Sequence, residues 1–223
     1  AAAVQDAPPW LPGGWVCRRE IRIEEGFYFL GDDLRDFPLQ VAIDAADDPV
    51  FARARADGGD LRFTAADGVT PLDHETELFQ TGAAPCRLVC WVRLPLIRAE
   101  GDTRFYLYYG TPNAYVPATA AARGVWTNGY AGVWHFAGAT PETVGRSATG
   151  RGDGTVSRGT VEPAAPGVVG TGVRFGADGL INCGPLPGIE ALWRSAAVPV
   201  PEAQATRPGA LWQSFTLETW IRY

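Results

Sequence analysis

Asp73, Glu75 and Glu77 alternate along the segment Leu72 to Phe79. Successive side chains of an extended strand point to opposite faces, so three carboxylates share one face at intervals of about 6.6–6.8 Å. Paired carboxylates on such a spacing can carry glycoside hydrolysis, one as acid and the other as base or nucleophile. The same pattern describes a solvated polar strand face, with Leu72, His74, Thr76 and Leu78 turned to a core. The polar face is our expectation, and no residue is assigned a catalytic role.

Other chemistry-bearing residues are sparse. His74 and His135 are the two imidazoles. Neither accompanies a G-x-S-x-G nucleophile motif or a cysteine placed to act as one, so both are expected to be structural. Asp57, Asp60 and Asp67 lie in Gly-containing turns, and Asp153 and Asp178 have similar neighbours. Oxygen ligands in loops suit calcium, but the spacing is not that of an EF-hand, and Asp-Gly is ordinary turn chemistry. No cofactor is expected, calcium being the one ion these turns could take. Arg151-Gly152-Asp153 spells an adhesive tripeptide inside a Gly-rich turn that needs no partner to explain it. Trp193 and Trp212 fall in a Pro-rich stretch, where an exposed indole is unfavourable without something to cover it; they are the candidate ligand contacts.

Cys17, Cys86, Cys90 and Cys183 are even in number and suit an oxidising compartment, and no C-x-x-C or zinc spacing is present. Cys86 and Cys90, four residues apart on one strand, would have Cα atoms about 13 Å apart, and a disulfide needs less than about 7 Å. The expectation is a bridge from Cys17 to one of them, with Cys183 free to take the other. The alternative is four reduced, buried thiols.

The elements that position these residues are short and extended. Period-two patterns run over Trp15 to Ile23, Phe37 to Ile43, Leu61 to Thr64, Leu72 to Phe79, Cys86 to Leu94 and Thr103 to Tyr109. Arg19 interrupts the apolar face of the first. The aromatic residues on both faces of Thr103 to Tyr109 predict a central strand. Further strands are expected at 131–136, 172–175 and 214–223. Residues 184–212 hold five prolines and predict a long surface loop. No amphipathic segment of ten residues has a helical period. The fold class is all-β: an antiparallel β-sandwich followed by part of a jelly roll.

Composition agrees with a packed β domain. Apolar residues make up 46% and charged residues 20%, which excludes wholesale disorder. With 19 basic and 25 acidic residues the net charge is −6, unfavourable for a nucleic-acid partner. Every basic residue is Arg, Lys and Met being absent. Lack of Met, and small residues Ala1-Ala2-Ala3 at the start, predict a processed and exported piece, periplasmic or extracellular. No apolar run is long enough to cross a membrane, so no membrane contact by this stretch is expected.

Six ordered motifs carry a resemblance. They are W-x-x-R-x-x-I-x-I at Trp15 to Ile23, F-P-L-x-V at Phe37 to Val41, D-G-G-D-L-R-F-T at Asp57 to Thr64, D-G-x-x-P-L at Asp67 to Leu72, W-V-R-L-P at Trp91 to Pro95 and L-Y-Y-G at Leu107 to Gly110. Over about residues 10–115 the chain resembles a bacterial and archaeal extracytoplasmic domain family of unknown function. V-W-H-F at Val133 to Phe136, G-x-G-V-R-F-G-A-D-G at Gly170 to Gly179 and F-T-L-E-T-W-I-R at Phe215 to Arg222 resemble the start of a laminin-G-like, concanavalin A-like jelly roll. Where that family often has Asp before Ser-Gly, this chain has Arg146 before Ser147, and no metal ligand is carried over.

The resemblance implies a flexible arm (1–14), a β-sandwich (15–115), a linker (116–124) and a truncated jelly roll (125–223). Such pairs occur in secreted surface proteins and in the exported N-terminal part of TolQ/ExbB/MotA-type proton channel proteins. The implied function is a non-catalytic module that binds an envelope protein. A carbohydrate-binding or adhesion module that takes a glycan is the alternative, and a glycoside hydrolase comes third.

Overall fold

The computed structural model describes residues 7–25, 31–82, 85–111, 123–167 and 169–185. Trp193, Trp212, most of the Pro-rich stretch and the strand expected at 214–223 lie outside them. Two compact units divide at Tyr130/Ala131. In chain order the first holds β1 (Cys17–Ile23), β2 (Leu34–Ile43), α1 (Pro49–Arg53), β3 (Arg62–Ala65), β4 (Pro71–Leu72), β5 (His74–Gln80), β6 (Arg87–Ile97) and β7 (Thr103–Tyr109). The second holds β8 (Thr155–Arg158), β9 (Val161–Pro166), β10 (Thr171–Phe175) and β11 (Leu180–Asn182). The protein is all-β, and its paired strands are antiparallel.

In the first unit, one sheet runs β1-β7-β3-β4 and the other β2-β6-β5. β7 is central, paired on one side with β1 (Ile21↔Phe105) and on the other with β3 (Phe63↔Leu107). Phe63, Leu72, Phe105 and Leu107 from the first sheet and Leu88, Cys90, Val92 and Leu94 from the second pool in one buried cluster. Arg19 shares the core-facing side of β1, since its partner is Leu107. It escapes burial by reaching Asp48 at 2.7 Å, and so tolerates an apolar position.

α1 is one short turn of helix. Asp48 caps it by accepting from Val50 N at 3.0 Å, and Pro49 occupies the first turn. The Asp-Pro pair was the available sequence signal for it.

The second unit carries two ladders, β9–β10 and β8–β11. The strand expected over 131–136 does not form. Trp134 makes a single bridge with Ser147, and Phe136 takes a left-handed φ of 54°, which ends an extended run. Gly145 pairs with Gly154 so closely that a Cβ on Gly145 would lie 2.1 Å from the Gly154 carbonyl oxygen. The glycine density of this region thus has a packing cause. β8, β9 and β11 form where no strand is expected from the sequence, and β10 coincides with the strand expected at 172–175.

Candidate functional site

The carboxylate row lies on the face of β2-β6-β5 turned away from the shared core. Cross-strand partners share a face, and Glu75 pairs with Trp91 while Thr76 pairs with core-facing Cys90. Between Thr76 and Leu78 the register shifts, leaving Glu77 as the extra residue of a β-bulge. The shift corrects the expected facing of Leu78. It pairs with Val89 on the outer face, and Phe79 takes the core side opposite Leu88 and stacks on Phe51 at 5.9 Å.

Each carboxylate has a donor. Asp73 Oδ2 accepts from Arg93 Nη2 at 2.5 Å, and Arg93 Nη1 donates to Asp36 Oδ1 at 2.9 Å, which ties β2, β6 and the start of β5 together. Both carboxylates raise the Arg93 pKa, Asp73 foremost. Glu75 Oε2 accepts from Trp126 Nε1 at 2.7 Å, and Glu77 Oε2 from Trp91 Nε1 at 2.6 Å.

Residues 123–130 lie over this row. The Trp126 ring packs on Trp91 at 5.2 Å, and Tyr130 meets Trp126 edge-on at 5.2 Å. Asn128 Nδ2 donates to the Arg35 carbonyl at 3.0 Å. A Cβ on Gly124 would stand 2.4 Å from the Asp73 carboxyl carbon, so any larger residue there would displace the Asp73 carboxylate. Sequence reading singled out the carboxylates but not Trp91 or Trp126. Their only signal was a tryptophan on the outer alternation of the strand and a second one some 35 positions on, and nothing local joins two such residues.

The remaining candidates do not converge on this row. His74 turns inward, with Nδ1 3.1 Å from the Leu72 carbonyl and Nε2 3.1 Å from that of Leu61. Burial pulls its pKa below the usual value. Asp60 is fully buried and accepts from Arg55 N (2.8 Å), Gly110 N (2.7 Å) and Thr111 N (3.1 Å). Asp57 accepts from Gly59 N, and Asp67 from the Thr70 hydroxyl foremost and from Thr70 N and Val69 N; these bonds hold both carboxyls below the ordinary range. Asp153 accepts from Ser147 N at 2.9 Å, and Gly152 of the same tripeptide accepts from Trp134 Nε1 at 3.0 Å. Among the described residues no three His, Cys, Asp or Glu side chains come together as metal ligands would.

The expected Cys17 bridge is not formed, since all four cysteines are free thiols. Cys17 lies on β1 in the other sheet from Cys90, with Arg53 Nη1 3.8 Å from its sulfur; Cys90 Sγ is 3.5 Å from Thr76 Oγ1. The two strands contribute to one core but aim these sulfurs at different neighbours. Cys183 belongs to the second unit.

A separate cavity of about 560 Å³ opens at the β6–β7 hairpin, between Leu72, Leu94, Leu96 and Phe105, with Arg98 and Asp102 at its rim. It contains none of the candidates above.

The strand-rich stretch from the Asp57 turn through β7 and on past Trp126 decides the comparison with known families. Residues 57–136 match a domain of unknown function, DUF2341. The match takes in β3 to β7 and the covering segment, so the carboxylate row and its cover fall inside one matched region. It overlaps the resemblance drawn on residues 10–115 to a domain of unknown function. No curated protein and no solved structure matches the chain. No helix among the described residues is long and apolar enough to cross a membrane.

Proposed function

We propose that the chain is a non-catalytic extracytoplasmic binding or interaction module of a larger envelope protein. On this reading its first unit is a β-sandwich and its second the start of a laminin-G-like jelly roll. The observation that carries the reading is the engagement of the β5 carboxylates. Arg93 holds Asp73, Trp126 holds Glu75 and Trp91 holds Glu77. Glycoside hydrolysis needs a protonated acid and a second carboxylate facing each other across room for a sugar. A row bonded to its own sheet and covered by an indole supports a packed face instead.

A TolQ/ExbB-type proton channel protein is the proposed setting, supported by the resemblance in residues 10–115 together with the second unit. Reading the gene beyond Tyr223 tests the setting. Membrane-spanning segments there support it, and further surface repeats count against it. Turnover on a polysaccharide panel tests the non-catalytic reading: no product is expected. Hydrolysis that Glu75→Gln abolishes while folding is retained would overturn it.

Carbohydrate binding is the second reading, favoured by one observation: Trp91, Trp126 and half-exposed Tyr130 form an aromatic run beside carboxylates, the pairing of surfaces that suits sugar faces and hydroxyls. A glycan array on the folded protein separates it from the first.

A further inference from the structure

Residues 124–130 cover the outer face of β5 and β6 without belonging to the main core. Val89, Val125 and Trp126 are buried, with relative exposures of 0%, 0% and 7%, yet they stand outside the cluster that unites the two sheets. Such a satellite cluster can open while the principal core stays closed. Polar and close contacts fasten it to the sheet. Trp126 Nε1 is bonded to Glu75, Asn128 Nδ2 to the Arg35 carbonyl, and Gly124 is pressed on Asp73.

We propose that residues 124–130 form a releasable strap, latched by the Trp126 indole, which packs on Trp91 and donates to Glu75, and that it opens as a local unit with both sheets intact. Opening frees the Glu75 carboxylate from Trp126 and the Trp91 ring from its partner indole.

Trypsin reads this directly. The chain has no Lys, so cleavage is confined to Arg, and Arg123 is exposed just before the strap. Cleavage of the Arg123–Gly124 bond requires Gly124 to leave Asp73. In the whole 223-residue chain, Trp126→Ala is expected to speed cleavage at Arg123 about tenfold relative to Arg151 in the second unit, with the urea midpoint of the first unit held near the native value. Glu75→Gln, which keeps an acceptor oxygen, should stay within about twofold, and Glu75→Ala should move towards Trp126→Ala. On the unmutated protein, amides of 124–130 should exchange with solvent through openings of lower energy than those of β6 and β7. Equal acceleration at every arginine, or strap amides that exchange only with global unfolding, would make the strap part of the core and overturn the proposal. Unchanged cleavage at Arg123 in Trp126→Ala would remove the latch.

Discussion

Trp91 donates its indole hydrogen to Glu77 at 2.6 Å, although the ladder partner of Trp91 is Glu75. Alternation alone places Glu77 on the outer side with Trp91; the bulge leaves it unpaired there and sets Leu78 and Phe79 opposite Val89 and Leu88. One indole then stands between two carboxylates, with Glu75 opposite it and taken by Trp126.

Deleting Glu77 therefore leaves every remaining pair of β5 in register and should be tolerated. The loss is the indole bond, about 1 kcal/mol at a half-buried donor. Deleting Glu75 should prevent folding, because Glu77 would then face Cys90 in the core. Urea unfolding of the two deletions separates the cases, and equal stability of both would show that the bulge does not set the register.

Asp60 joins the turn after α1 to the end of β7 through three backbone N–H groups. Asp60→Ala leaves these buried donors without their acceptor and should destabilise the first unit by at least about 3 kcal/mol. Asp60→Asn, with one acceptor oxygen left, should fall between. A midpoint shift below about 1 kcal/mol for Asp60→Ala would refute the joint.

His74 gives an acid-sensitive term. Its folded pKa is lowered, chiefly by burial and also by the Arg62 charge, while the Leu72 and Leu61 carbonyls and Asp73 act the other way. A depressed folded pKa means that the unfolded chain binds the proton first. Its contribution is therefore fully present above the unfolded value of about 6.5 and is lost as pH falls through the folded pKa. Urea midpoints between pH 8 and 5 should decline, and His74→Gln should flatten the slope. An NMR titration placing His74 above 6.5 would reverse the sign.

Cys90 is fully buried, and burial pushes its thiol up to about 12. In the folded protein at pH 8 it should not react with a thiol reagent, and unfolding without reductant should reveal four thiols. Two thiols, or none, would restore the disulfide.

The sequence by itself determined the strand class and most strand positions. Thr103 to Tyr109 is a strand to the residue, Phe37 to Ile43 lies inside β2, and the alternations at Trp15 to Ile23 and Cys86 to Leu94 begin two residues and one residue before β1 and β6. Period two is a property of the local backbone, so it is written in neighbouring residues. The aromatic residues on both faces of β7 likewise announced a central strand.

Tertiary structure decided what alternation cannot carry. That β1 pairs with β7, more than 80 residues on, depends on which apolar faces fit. The bulge at Glu77 follows from matching β5 to β6 on both sides of it, and no residue type there signals an insertion. The free thiols follow from which neighbours Cys17 and Cys90 meet in different sheets. The expected carboxylate face was legible, but its cover was not, because Gly124 and Trp126 reach Asp73 and Glu75 only when a later segment folds back over a finished sheet.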